Sequence, residues 1–449
     1  MRLLLILISL SSQLIWANDC EEAMRVSRAE RAAGNIFFNR WNLPDGTKGE
    51  TLMGSMVKQI AGIEKRPMMI LDTNPGAELW KEFNIVRPSD DSLFPGKTYR
   101  QLNKEQKGLL FRNFTQRALA RLRSHTELPV LIFDHHFNSK ILSEASATPL
   151  IVDYLVWLSA YKPEEERDLL KQAIANSVTL RDHSDPDILL SNTAARWAIR
   201  SVYLEMHGEV MNRIAYFNDH SYIDPSLNEE ERREVMLGYY LMMGFEKAIA
   251  EGKIGFEESL ELIDMALERV SIVTHLSILE KSDGLSDLIR DLKSIRMSGY
   301  LVPIVEAMVA QKAERDRFLQ QMKDIYATPG ALTLVNQTAV VRFPPLPDVP
   351  SGLEVMQYLR AHPVPGISDA KYVAVVGRET HADGEYWHVK FRVIDGVSRL
   401  DNLIQAIRDA GTGGGGRATA GGLYSPAGKK ATVPQDLEKD LIWALKYLN

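Results

Sequence analysis

The run Pro129-Val130-Leu131-Ile132-Phe133 leads directly into Asp134-His135-His136. Such an apolar run reads as a strand buried on both faces, which places one acid and two imidazoles at its carboxyl end. Imidazole and carboxylate together suit Mn, Zn or Fe; the plain alternative is a surface turn with solvated histidines. A second cluster, Arg181-Asp182-His183-Ser184-Asp185-Pro186-Asp187, follows the stretch 173–180 and reads either as ligands or as a capped turn. A third, Trp41-Asn42-Leu43-Pro44-Asp45-Gly46-Thr47, follows an apolar strand at 35–38 and carries Asp45 in a Pro-Asp-Gly turn. Asp72 ends the run Met68-Met69-Ile70-Leu71, either as a further carboxylate for the same chemistry or as a cap before Asn74-Pro75-Gly76. Residues 411–422 read GTGGGGRATAGG. A glycine run of this kind lets backbone approach a phosphate, with Arg417 as a permanent cation, or else it is a flexible linker.

The elements that must carry these groups alternate in type. Apolar strands at 35–38, 68–71, 109–111 and 130–133 are interleaved with helical patterns at 51–63 and 115–123, which predicts an α/β domain with a parallel sheet. Ligands then belong at the carboxyl ends of the strands. Residues 205–328 show helical spacing throughout and read as a helical connector. Strand patterns return at 332–335, 339–343, 372–376 and 387–393, then a helix at 400–409 leads into the glycine run, giving a smaller C-terminal α/β domain. A terminal helix is expected at 435–448.

Composition bounds the partners. The chain has 449 residues and a formal net charge of −6, so bulk electrostatics do not drive it onto nucleic acid or an anionic membrane. Its one cysteine, Cys20, excludes an intramolecular disulfide and a cysteine-rich metal site. Residues 1–17, MRLLLILISLSSQLIWA, have the tripartite pattern of a secretory signal peptide with cleavage after Ala17, so a periplasmic or secreted location is expected. The apolar run is too short for a comfortable span, and no later run suggests a stable membrane span.

Taken in order, these motifs resemble the DHH phosphoesterase superfamily with its C-terminal DHH-associated domain, of the RecJ-like kind. Asp134-His135-His136 after its apolar strand resembles the motif that names the family, Ala145-Ser146-Ala147-Thr148 resembles the helix start that follows it, and Trp387–Val393 with the glycine run resembles the substrate-binding domain. With the signal peptide read over 1–17, the resemblance divides the rest into a DHH domain over 18–204, the connector over 205–328, a DHH-associated domain over 329–430 and a C-terminal helix over 431–449. It implies manganese or another divalent metal, and hydrolysis of phosphodiester bonds in oligonucleotides or single-stranded nucleic acid. By that resemblance Asp45, His135, Asp182 and, as a substitute, Asp72 are metal ligands. Asp134 orients its neighbour and His136 contacts phosphate. Arg392, Gly414, Gly415, Gly416 and Arg417 hold the substrate. The chain departs from the family at Trp41 and Thr47, where the first motif has ligands, at Asn113, the best match to the second-motif aspartate, and at Arg417, which replaces a histidine. A catalytically silent relative that binds nucleotide, nucleic acid or a protein partner is the alternative these departures allow.

Overall fold

The computed structural model describes residues 35–37, 67–71, 85–88, 90–123, 130–134, 141–181, 185–220, 223–224, 226–294, 298–344, 350, 352–362, 364, 366–367, 369–381, 384–394, 398–410, 414–417, 420–424 and 434–448. The expected leader at 1–17, the expected helix at 51–63, and Asp45, Asp72, His135, His136 and Asp182 lie outside these residues. The chain divides into two compact units, one formed by residues 1–219 and 223–310, the other by 220–222 and 311–449.

The first unit is built on a sheet of five parallel strands. Its elements in order are β1 (Asn35–Phe37), β2 (Met68–Leu71), β3 (Ile85–Val86), α1 (Lys104–Arg123), β4 (Val130–Phe133), α2 (Ala147–Ser159), α3 (Glu164–Ala175), β5 (Val178–Arg181), α4 (Pro186–Arg196), α5 (Ser201–His220), α6 (Glu229–Ala250), α7 (Phe256–Glu280), α8 (Gly284–Ser294) and α9 (Ser298–Ala327), which continues into the second unit. The strands lie in the order β1-β5-β2-β4-β3, and every pairing is parallel. All four residues of β2 and of β4 are buried, as a parallel sheet covered on both faces requires. Thus the apolar run before Asp134 does form the expected strand.

One expected strand is corrected. Residues 109–111 lie inside α1. The buried residues of that helix are Leu110, Phe111, Phe114, Thr115, Ala118 and Leu119, a helical repeat, while Leu109 is 46% exposed. Three adjacent apolar residues had the look of a strand, yet only two face the core. Asn113 therefore ends no strand; its Nδ2 donates to Asp90 Oδ2 at 2.9 Å from the helix.

The second unit carries α9's remainder, β6 (Leu332–Val335), β7 (Thr338–Arg342), α10 (Gly352–Ala361), β8 (Tyr372–His381), β9 (Gly384–Val393), α11 (Asp401–Asp409), β10 (Gly414–Arg417), β11 (Ala420–Tyr424) and α12 (Pro434–Leu445). Its six strands run in the order β10-β11-β9-β8-β7-β6, antiparallel except for the β7–β8 pair. Both units are of the α/β class. Among the described residues no helix is long and apolar enough to cross a membrane.

The α1–β4–α2 contact is aromatic. Phe114 meets Tyr154 edge-on with ring centroids 4.9 Å apart and Phe133 at 5.5 Å. All three side chains are fully buried. Replacing Phe114 by Ala is expected to lower the stability of this unit by about 3–5 kcal/mol, the range for emptying a buried aromatic site. Urea unfolding followed by far-UV circular dichroism measures it, and a loss below about 1 kcal/mol would show that the cluster does not hold α1 to the sheet.

Candidate functional site

Strand register decides which residues come together. Leu71 pairs with Phe133, Ile70 with Leu180, and Phe37 with Arg181. Continuing the β2–β5 register by one residue brings Leu71 level with Arg181, so Phe37, Arg181, Leu71 and Phe133 form one row across the sheet. Those four are the last residues of their strands. The residues that follow them in the sequence are Phe38, Asp182, Asp72 and Asp134. Three of four strands in one row thus lead into an aspartate at the carboxyl edge, where an open α/β sheet takes its ligands.

Asp134, the described member, is fully buried. Beyond it the chain is next anchored at Ile141, whose N–H donates to Asp91 Oδ1 at 3.0 Å. Asp91 follows β3, the edge strand beside β4. Among the described residues no three His, Cys, Asp or Glu side chains gather as a metal site.

The part played by Asp187, quoted in the second cluster, is what the sequence reading missed. This aspartate sits in the first turn of α4, fully buried, and its carboxylate accepts the first two N–H groups of α2, from Ala147 at 2.6 Å and from Thr148 at 2.7 Å. Thr148 Oγ1 donates in return to the Asp187 carbonyl oxygen at 3.0 Å. N–H groups at a helix start lack partners within the helix, so a carboxylate there is a cap. This cap comes from another helix, 39 and 40 residues away in sequence. Asp185 caps α4 itself by accepting the Ile188 N–H at 2.8 Å. As a result the segment between β4 and α2 and the segment between β5 and α4 are stapled to each other at their far ends. Locally, Asp-Pro-Asp before a helix signals a cap for that helix alone, so the sequence holds no sign of the long-range bond.

Burial pushes the Asp187 carboxyl well above the usual carboxylate range, with the neighbouring Asp219 and Asp185 carboxylates adding to it and the Thr148 bonds opposing. Asp219 is itself 5% exposed. The unit therefore keeps several acids close together behind the carboxyl edge of its sheet.

The second unit holds the other candidates. Gly414, Gly415, Gly416 and Arg417 are the four residues of β10, an edge strand paired with β11. Gly416 has φ +152°, and a Cβ there would stand 2.3 Å from the Ala420 carbonyl oxygen and 2.9 Å from Ile404 of α11. Gly421 meets the same Ile404 side chain, at 2.6 Å. These two glycines are required by packing, because α11 lies directly on the hairpin. Arg392, half-buried on β9, is crossed by the start of α10, where a Cβ on Gly352 would come 2.7 Å from the arginine Cγ.

No protein-family model matches this chain, and none of the curated proteins does. Among solved structures it is similar to the pGpG-specific phosphodiesterase PggH of Vibrio cholerae, with 14% identity and a TM-score of 0.33 over 68% of this chain and 96% of that one. It is also similar to an uncharacterised protein of Helicobacter pylori G27, with 10% identity and a TM-score of 0.21 over 89% of each chain.

The Asp187 staple predicts a pH signature. A carboxyl whose folded pKa stands above its unfolded value binds its proton more tightly in the folded chain, so stability is greatest below the ordinary carboxylate pKa and falls as pH rises past it. Replacing Asp187 by Asn should remove that slope. It should also cost about 1–3 kcal/mol, because an amide presents one acceptor oxygen to two buried N–H groups. Urea midpoints collected across acidic to neutral pH test both statements; a slope retained in the variant would assign it to another group.

Proposed function

We propose that the chain is a metal-dependent phosphodiesterase of the DHH kind, acting on oligonucleotides or single-stranded nucleic acid. One observation carries the reading: the strand ends that share a row lead into Asp72, Asp134 and Asp182, with His135 directly after Asp134. A row of carboxylates beside an imidazole is a donor set that manganese or a similar divalent ion accepts. When bound, such an ion would supply Lewis-acid activation of phosphate and of a water. His135, Asp72 and Asp182 are its proposed holders, with Asp45 contributed from the segment after β1.

The chain's own groups have separate tasks in this reading. Asp134, buried at the end of β4, fixes the start of the segment that carries both histidines. His136 contacts the phosphate oxygen. Asp187 keeps the two ligand-bearing segments at a constant separation by tying α2 to α4, a positioning role with no contact to substrate. In the second unit Arg392, Arg417 and the backbone of Gly414, Gly415 and Gly416 hold the phosphate chain. The leader pattern at 1–17 supports action outside the cytoplasm.

Asp72 takes the place in this proposal that Asn113 would hold by motif spacing. Asn113 belongs to α1 and bonds Asp90, whereas Asp72 follows the central strand. Turnover of a short single-stranded oligonucleotide with manganese should therefore fall about a hundredfold or more in Asp72→Ala. Asn113→Ala should keep its turnover and lose about 1 kcal/mol of stability at most. Equal activity in the Asp72 variant and the parent chain would sink the assignment, as would complete absence of turnover in the parent chain with manganese, zinc or iron.

A further inference from the structure

The start of α5 is apolar on both sides. Leu204, His207, Gly208 and Met211 are buried at helical spacing, so the helix already has its inner face. On the outer face Val202 and Met206 are 63% and 64% exposed and Tyr203 is 39% exposed. Ile199, in the short turn that leads into the helix, is 62% exposed. Single exposed apolar residues need no partner, but these four follow the i, i+3, i+4, i+7 spacing of one helical side and form a patch. It is also stiff. The Tyr203 ring stacks on Trp197 with centroids 5.6 Å apart, and Trp197 is itself buried. A ring already fixed by packing loses little freedom when a partner covers it.

The charges around the patch have an order. Arg200 and Glu205 are both exposed, and among the described residues neither takes part in a hydrogen bond or an ion pair. Asp264 lies within electrostatic range of Arg200, and Lys171 within range of Glu205, without bonding to them. About the midpoint between Val202 and Tyr203 the sequence is symmetric in apolar character and antisymmetric in charge: Val202 falls on Tyr203, Ile199 on Met206 and Arg200 on Glu205. A two-fold axis through that midpoint, relating two antiparallel copies, makes each of these pairs twice. An isologous contact demands this self-complementarity, because each residue must suit its counterpart in both directions. An unrelated partner would impose no such symmetry.

We propose that this patch is a homodimer interface, in which α5 of one chain crosses α5 of a second copy in the antiparallel sense. Ile199, Val202, Tyr203 and Met206 form its apolar centre, and two Arg200–Glu205 pairs lie at its rim, where charge fixes orientation more than it adds affinity. Such a dimer would form whether or not the chain is a phosphodiesterase.

Sedimentation velocity of the full chain, followed from low to high micromolar concentration, tests the interface. The parent chain should sediment as a dimer in this range. Met206→Glu should raise the dissociation constant about a hundredfold or more, since a central position is lost twice in each dimer. Leu279→Glu changes an equally exposed leucine at the far end of α7 and should leave the dimer intact. Charge tests the orientation. Arg200→Glu makes both facing positions acidic and Glu205→Arg makes both basic, so each variant alone should dimerise about tenfold more weakly at low salt. An equimolar mixture of these two variants should recover parent-like association, because each then meets its opposite. A parent chain that stays monomeric at high micromolar concentration would overturn the interface, as would a dimer that survives Met206→Glu or that Leu279→Glu dissociates as readily. Failure of the mixture to recover would overturn the antiparallel arrangement.

Discussion

Parallel strands buried on both faces can place polar chemistry at their ends and nowhere else, and this constraint organises the first unit. Within β2 and β4 every side chain is buried, so a carboxylate inside either strand would pay a desolvation cost with no compensating partner. One residue past the last pairing, the same chain can carry an acid. Because β1, β5, β2 and β4 end in a single row, residues distant in sequence converge without any long loop having to be ordered for the purpose. The helices serve that row. α1 and α2 hold β4 through the Phe114, Phe133 and Tyr154 rings, and Asp187 joins α4 to α2.

Electrostatics sets a second condition on the same unit. Burial first, and the neighbouring Asp219 and Asp185 after it, hold the Asp187 carboxyl above the usual carboxylate range even with two backbone N–H donors on it. A cation held at the carboxyl edge, as proposed, would offset part of that repulsion and link folding to metal binding. The second unit solves a different problem. There a hairpin of glycines lets α11 lie flat on β10 and β11.

Much of the carboxyl edge was legible because it depends on local pattern. Val130–Phe133 is an apolar run bounded by proline and aspartate, and Met68–Leu71 is another; both are strands where expected. Leu109-Leu110-Phe111 misled because a short apolar run carries no period, and the helical repeat emerges only with Phe114, Thr115, Ala118 and Leu119. β3, two residues long, has no signal of its own and exists by pairing with β4. β10 and β11 are strands made largely of glycine, against intrinsic preference, and they too exist by pairing. The turn residues after Asp72 suggested a cap as readily as a ligand, whereas the alignment of the end of β2 with that of β4 follows from register, which no single-sequence pattern encodes. Asp187 was hidden for the same reason: its partners are 39 and 40 residues away.

The row of aspartates is the central claim, and anomalous diffraction at the manganese edge from manganese-soaked crystals of the full chain tests it most directly. The account predicts a peak at the carboxyl edge of the five-stranded sheet, with oxygen atoms of Asp72 and Asp182 and a nitrogen of His135 about 2 Å from it. A peak elsewhere, or no peak at this edge with all three side chains visible and turned away from one another, would contradict it.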